Sequence, residues 1–372
     1  MIFCIFLVLI FIRPFVSYAY AETSALFPAL LLVASLPLII QRRAKLRRFT
    51  HISIPTALFC ASLIASCFMA RDKTNALMES TRYTVGLLVF FVALILSNEE
   101  RKALVNTLLA GGVVISALAL YQYAFGFKNL EAYCAAHQIT DEFIKSYIAK
   151  KRVFMPFFGP NMLAGYLAMA APLSLLYKKS RLLLAPMALA LLLTQSIGAI
   201  ASIIVAAAIV FLLAKIPAKK KAMVVAALVL GLVAILCLRF SDEAASHQPG
   251  FSLKMRTQYW SETLSLIKKH PLTGMGMGSF DISKARHAHN VFLELWAECG
   301  IAGFISFFLL CGCLLRNGAR KITAGNPALL LTAVFYGVLV FILHNLVDIT
   351  FFFPETAMTW WLLAGLLASF SL

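Results

Sequence analysis

The chain has 372 residues, of which 61% are hydrophobic and only 13% charged, and its 33 Lys and Arg against 16 Asp and Glu give a formal charge of +17. Soluble domains are about half apolar and about a quarter charged, so this composition excludes an ordinary soluble fold and points to lipid as the solvent. The charges punctuate apolar runs and form no basic domain, which argues against a nucleic-acid partner, and most of the eight cysteines lie inside those runs, which argues against a disulfide framework.

Apolar runs with polar ends fall near 2–20, 23–41, 53–70, 82–97, 103–124, 158–177, 182–196, 199–214, 222–238, 290–315, 327–347 and 356–371. A crossing needs about 20 apolar residues for about 30 Å of hydrocarbon, so the expected fold is an all-α integral membrane protein of about twelve transmembrane helices. It reads as a single polytopic domain over 1–372 with no soluble second domain. Ala19-Tyr20-Ala21 resembles a signal-peptide cleavage site, but no Lys or Arg precedes the first apolar run, so an uncleaved first helix is expected.

Four clusters without an acidic residue separate helices: Arg42 to Arg48, Lys178 to Arg181, Lys215 to Lys221 and Arg316 to Lys321. Such clusters are retained in the cytoplasm. The 33 uncharged residues 182–214 would make one helix about 50 Å long, too long for one crossing. Basic clusters at both of its ends demand a hairpin, with its turn near Gln195-Ser196-Ile197-Gly198. The outward segments are then short turns, a loop over 71–81 and two longer periplasmic loops, 125–157 and 239–288. The basic residues on these loops suit an anionic ligand.

Within the larger loop, 252–269 reads as an amphipathic helix, with Lys254, Gln258, Ser261, Ser265 and Lys268 on one face and Leu253, Trp260, Leu264 and Ile267 on the other. Arg256 falls in the apolar arc, where a charge is costly without a partner. Snorkelling or a carboxylate would satisfy it; so would a lipid diphosphate, whose oxygens match the guanidinium fork. Arg152 ends the run Lys150-Lys151-Arg152, a pattern that serves equally as solvated loop or headgroup contact. Asn161, beside Pro160, suits a helix start as well as a ligand contact. Gly274, Gly276 and Gly278 read as a turn more readily than as a phosphate nest, having no Lys-Ser/Thr context. His344 and Asp348, four apart, share a helix face, as do Glu294 and Glu298. His287 and His289 are two apart and lack the spacing of a helical zinc pair, so no metal and no cofactor is expected.

The most specific pattern is His289-Asn290, nine residues, then Gly300-Ile301-Ala302-Gly303. Upstream, Arg152 leads through Gly159-Pro160-Asn161 to Ala164. Together these resemble the motifs of the O-antigen ligase and polymerase family of GT-C-type glycosyltransferases, from about residue 55 onward. Gly159 stands where many relatives have Asn, and Ile197 where many have Arg, a departure that removes a charge from that turn. The resemblance implies an inverting, metal-independent transfer of a glycan from a polyprenyl diphosphate donor to a lipid A–core sugar hydroxyl. It implies His289 as general base and Arg152, Arg256, Asn161 and Asn290 as substrate-binding groups. It also implies a multi-pass protein of the bacterial inner membrane, among membrane lipids, with its active site facing the periplasm. Polymerase and protein O-oligosaccharyltransferase relatives share these motifs, so the acceptor stays open. A polysaccharide transporter or flippase would place polar groups near midplane on matching halves, and no such halves are visible.

Overall fold

A computed structural model describes residues 1–16, 21–46, 49–245, 251–282, 285–325 and 327–370. Among these the chain is all-helical apart from one isolated bridge between Ile282 and Ala285. In chain order the helices are α1 (Ile2–Ile12), α2 (Ala21–Gln41), α3 (Arg43–Leu46), α4 (Thr50–Met69), α5 (Lys73–Ile95), α6 (Asn98–Tyr121), α7 (Phe127–Ala136) and α8 (Glu142–Ala149). There follow α9 (Pro160–Ala170), α10 (Leu184–Leu193), α11 (Ile197–Leu213), α12 (Ala218–Ala245), α13 (Phe251–Lys269), α14 (Val291–Ala324), α15 (Leu329–His344) and α16 (Pro354–Ser369).

Each of the twelve apolar runs carries helix. Four described spans are long and apolar enough to cross a membrane, namely Ile52–Met69, Lys73–Ile95, Asn98–Ala136 and Val291–Ala324, and five shorter apolar helices accompany them. The chain is therefore a helical membrane protein, with four such spans where the sequence suggested about twelve. The proposed signal-peptide site at Ala19-Tyr20-Ala21 falls mostly outside the described residues. The hairpin over 182–214 forms as α10 and α11, and Gln195 takes a left-handed backbone (φ 53°) at its turn.

The segments expected as loops carry helix. The 71–81 loop is instead the first turns of α5, because Asp72 caps it by accepting from the Asn75 amide at 3.0 Å. The 125–157 loop is largely helical: α6 runs through one π-helical turn, Gln122–Gly126, into α7, and α8 follows. Gln122 then ties the segment down, its Oε1 accepting from the Phe154 and Met155 amides at 2.8 and 2.9 Å. In the 239–288 loop α12 extends to Ala245, α13 forms where an amphipathic helix was expected, and the described residues of 270–290 are irregular.

Lipid tails are as apolar as the side chains, so close packing and not water exclusion holds such helices together. α16 is buried along nearly its whole length, with Trp360 and Trp361 among the largest fully buried side chains. A Cβ added at Gly86 of α5 would lie 2.3 Å from Trp361 Nε1, and one at Gly365 would lie 2.3 Å from the Phe90 carbonyl. These glycines let α5 and α16 approach closely. Outward-facing side chains such as Ile54, Phe68, Leu182 and Leu230 are exposed, as lipid contact requires.

The described residues of the four basic clusters lie at one end of the bundle, where α2, α11 and α14 end and α6, α10 and α12 begin. Arg42 at the end of α2 makes a bidentate pair with Glu100 at the start of α6, both contacts at 2.6 Å, and Lys215 after α11 donates to the Ala324 carbonyl at the end of α14 at 2.9 Å. The polar groups described next lie at the opposite end, where α9, α11, α14 and α16 begin and α15 ends.

Candidate functional site

α14 starts at Asn290, whose side chain accepts from the Phe292 and Leu293 amides at 3.0 and 3.1 Å. Its Nδ2 donates to the Leu346 carbonyl at 3.0 Å, and the Val291 amide donates to Asn345. Asn290 is thus committed to capping α14 and binding it to the end of α15. His289, the residue before it, sits in the left-handed region (φ 54°), a conformation that costs a non-glycine residue on the order of 1 kcal/mol or more and persists when its surroundings impose it. Its ring stacks on Tyr259 of α13, with centroids 5.4 Å apart and planes 26° apart. Nδ1 is buried without a hydrogen-bond partner, which leaves Nε2 as the nitrogen open to a ligand.

One turn before Tyr259, Arg256 donates to Asp348 Oδ2 at 3.3 Å. The carboxylate is almost wholly buried, 2% exposed, against 21% for the arginine side chain. Asn161, in the first turn of α9 just after Pro160, donates to the same oxygen at 2.6 Å, and the Ile349 amide donates to the other at 2.8 Å. Arg152 completes the chain of contacts: Nη2 donates to Asn161 Oδ1 at 3.4 Å, Nε to the Thr194 carbonyl at 3.0 Å, and the guanidinium lies 5.4 Å from the Tyr147 ring centroid. Arg152, Asn161, Asp348 and Arg256 therefore form one continuous network, contributed by residues far apart in sequence.

The carboxylate option anticipated for Arg256 is met by Asp348. His344 and Asp348, which share a helix face in sequence, do not pair with each other but both bond to Asn161, Asp348 accepting from its side chain and His344 Nε2 donating to its carbonyl at 3.3 Å. Three residues without a sequence signal of their own join the site, namely Tyr259, Tyr147 and the Thr194 carbonyl. Tyr259 was legible only as lying three residues beyond Arg256, on the same face of a helix. Ile197 follows at the start of α11, so the turn keeps a place at the site through its backbone.

Burial is the main influence on His289, pushing its pKa below the usual histidine value. Arg256 and His287 push the same way, while Asp348 and Glu294 oppose them. A neutral imidazole near the Arg256 guanidinium and the buried carboxylates of Asp348 and Glu294 can accept a proton beside a region suited to an anion. Among the described residues no group of three or more His, Cys, Asp and Glu is arranged to hold a metal ion.

The glycine tract is a docking loop. The Gly274 amide donates to His270, the Gly276 amide to the Glu298 carbonyl and the Gly278 amide to Glu298 Oε1, all at 2.9–3.0 Å, so these amides are already engaged. The Glu298 carbonyl is open to them because α14 breaks at Gly300 (φ 67°), where a Cβ would fall 2.1 Å from the Leu272 carbonyl. Gly303 faces α4, with its Cβ position 3.5 Å from Ser62 Oγ. Gly300 and Gly303 thus seat the loop preceding His289 on α14 and α14 on α4.

No curated protein matches this chain. The family model described as O-antigen ligase matches residues 182–308, about a third of the chain. That segment holds Arg256, His289 and Asn290, while Arg152, Asn161 and Asp348 join it from outside. Over residues 182–308 the chain is similar to the O-antigen ligase family.

Proposed function

We propose that the chain transfers a glycan from a polyprenyl diphosphate to a sugar hydroxyl of lipid A–core, with inversion at the sugar and without a metal. The observation that carries this reading is the convergence of His289, with Nε2 open, on the network of Arg152, Asn161, Asp348 and Arg256 at the end opposite the basic clusters. In the transfer, neutral His289 takes the proton of the acceptor hydroxyl as that oxygen attacks the anomeric carbon. The bond to the diphosphate breaks on the opposite face, and Arg152 and Arg256 stabilise the charge of the departing lipid diphosphate. Asp348 holds Arg256, and Asn161 joins Arg152 to Asp348. Asn290 acts through the cap that fixes His289.

With the basic clusters in the cytoplasm, the site faces the periplasm of a bacterial inner membrane. Polymerase and ligase chemistry would use the same groups and differ in acceptor. The test is purified protein in detergent, without a membrane gradient, given a polyprenyl-diphosphate glycan and either lipid A–core or a second lipid-linked glycan. Glycosylated lipid A–core, formed at an undiminished rate in chelator, is expected. Product only with the lipid-linked acceptor would make the protein a polymerase. No product with either acceptor would overturn glycosyl transfer, and loss of rate in chelator restored by one divalent ion would overturn the metal-free mechanism.

A further inference from the structure

The His287-Ala288-His289 segment is held from within α14 by one carboxylate. Glu294, in the first turn of that helix and 2% exposed, accepts from His287 Nδ1 at 2.7 Å and from the Ala288 amide at 2.7 Å. The His287 ring is also packed against Phe352, with centroids 5.1 Å apart and planes 13° apart. On the other side Asn290 is clamped by its cap and by Leu346. His289 is therefore the one residue between two fixed points, which explains how a non-glycine residue is kept in the left-handed region beside Tyr259. A buried carboxylate that makes two short hydrogen bonds to one turn is a strong constraint, since charge-assisted bonds are about twice as strong as neutral ones.

We propose that Glu294 is the positioning residue for His289, fixing its backbone and ring orientation through His287 and Ala288 and supplying the negative charge nearest to it on α14. His287 is on this account part of the support and does not take the acceptor proton. The role rests on the transfer reading given above. The groups facing His289 are Arg256 and Tyr259 from α13, Asp348 from beyond α15, His287 from its own loop and Glu294 from α14. Behind Glu294 lie Glu298 and Tyr83, and removing Glu294's charge leaves Asp348 as the one carboxylate in that set around His289.

Two substitutions separate geometry from charge. In Glu294→Gln the amide oxygen still accepts from Ala288, and the amide NH2 faces His287, whose ring takes the other tautomer. The loop keeps its shape and loses the charge. In Glu294→Ala both anchors go. Glu294→Ala is expected to lower kcat roughly 10- to 100-fold, the scale of a small misplacement of a reacting group, with the donor KM changed less than about twofold. Glu294→Gln is expected to keep kcat within about threefold and to move the acid limb of kcat/KM to lower pH, because a lost negative charge weakens protonation of His289.

A second readout needs no turnover: the pH dependence of carbethoxylation of His289 by diethylpyrocarbonate, followed by peptide mass spectrometry. Only neutral imidazole reacts, so its midpoint is expected to fall in Glu294→Gln. A wild-type protein that transfers no glycan would sink the transfer reading, and the His289 midpoint would still decide the role of Glu294. An unmoved His289 midpoint in Glu294→Gln, or wild-type kcat in a folded Glu294→Ala, would overturn the proposal.

Discussion

Both ends of the bundle are rich in cations, yet they use them differently. At the basic end Lys178, Lys179, Arg181, Lys219, Lys220, Arg316 and Arg320 are exposed, and the polar contacts that occur, Lys215 to the Ala324 carbonyl and the part-buried Arg42–Glu100 pair, tie helix ends to one another. At the site end Arg152 and Arg256 are partly buried and bonded to groups from other helices, one of them the nearly inaccessible Asp348. Exposed cations cost little and interact weakly through water, whereas a buried charge is tolerated only with good partners. Charge count alone does not distinguish topology signals from a binding site; partner count and burial do.

The largest expected effect belongs to the site end. His289→Ala should lower glycan transfer by roughly 100-fold or more while folding and donor binding survive, since general-base catalysis contributes on that scale. A folded variant with near wild-type turnover would remove His289 from the mechanism and leave the site end as binding surface only.

Next comes the buried pair. Arg256→Ala leaves Asp348 uncompensated and should destabilise the protein by about 3 kcal/mol, as breakage of buried pairs does, in addition to raising the donor KM. Combining it with Asp348→Asn should recover part of the melting temperature but none of the donor affinity. Equal, additive losses in thermal unfolding would show that the two groups are not coupled and that the site end resembles the basic end after all.

The pH profile sharpens the same contrast. Burial depresses the His289 pKa, and the base is the neutral form, so kcat/KM should stay flat as pH falls through the ordinary histidine value of about 6.5 and decline only below it. An acid limb centred above that value would indicate that Asp348 and Glu294 outweigh burial. The smallest effect is expected at the basic end: Lys215→Ala should change transfer by less than about twofold, as a solvent-exposed contact of modest worth. A tenfold loss in that variant, measured with equal amounts of folded protein, would mean that the basic end takes part in activity.

Much of this was legible in the chain before folding. Apolar run length fixed where the helices lie, and basic clusters at both ends of 182–214 required the α10–α11 hairpin. The amphipathic period of 252–269 exposed Arg256 as misplaced for a lipid face, and the spacing from His289 to Gly300 and Gly303 marked the stretch that resembles the O-antigen ligase motif. Loops were less legible, because a capping Asp72 and a π-helical turn at Gln122 extend helices through polar sequence that reads as irregular.

Local patterning by itself therefore determined the helical membrane class, the hairpin and the out-of-place Arg256, and the resemblance to the O-antigen ligase family singled out His289, Arg152 and Asn161 as candidates. Only the tertiary structure decided that Asp348 pairs with Arg256 and Asn161 instead of His344, that the glycine amides belong to Glu298 and His270, and that Glu294 holds His287 and Ala288. The reason is one of range: helix periodicity and end signals act within a few residues, whereas a buried carboxylate takes whichever donors the packed helices bring within about 3 Å.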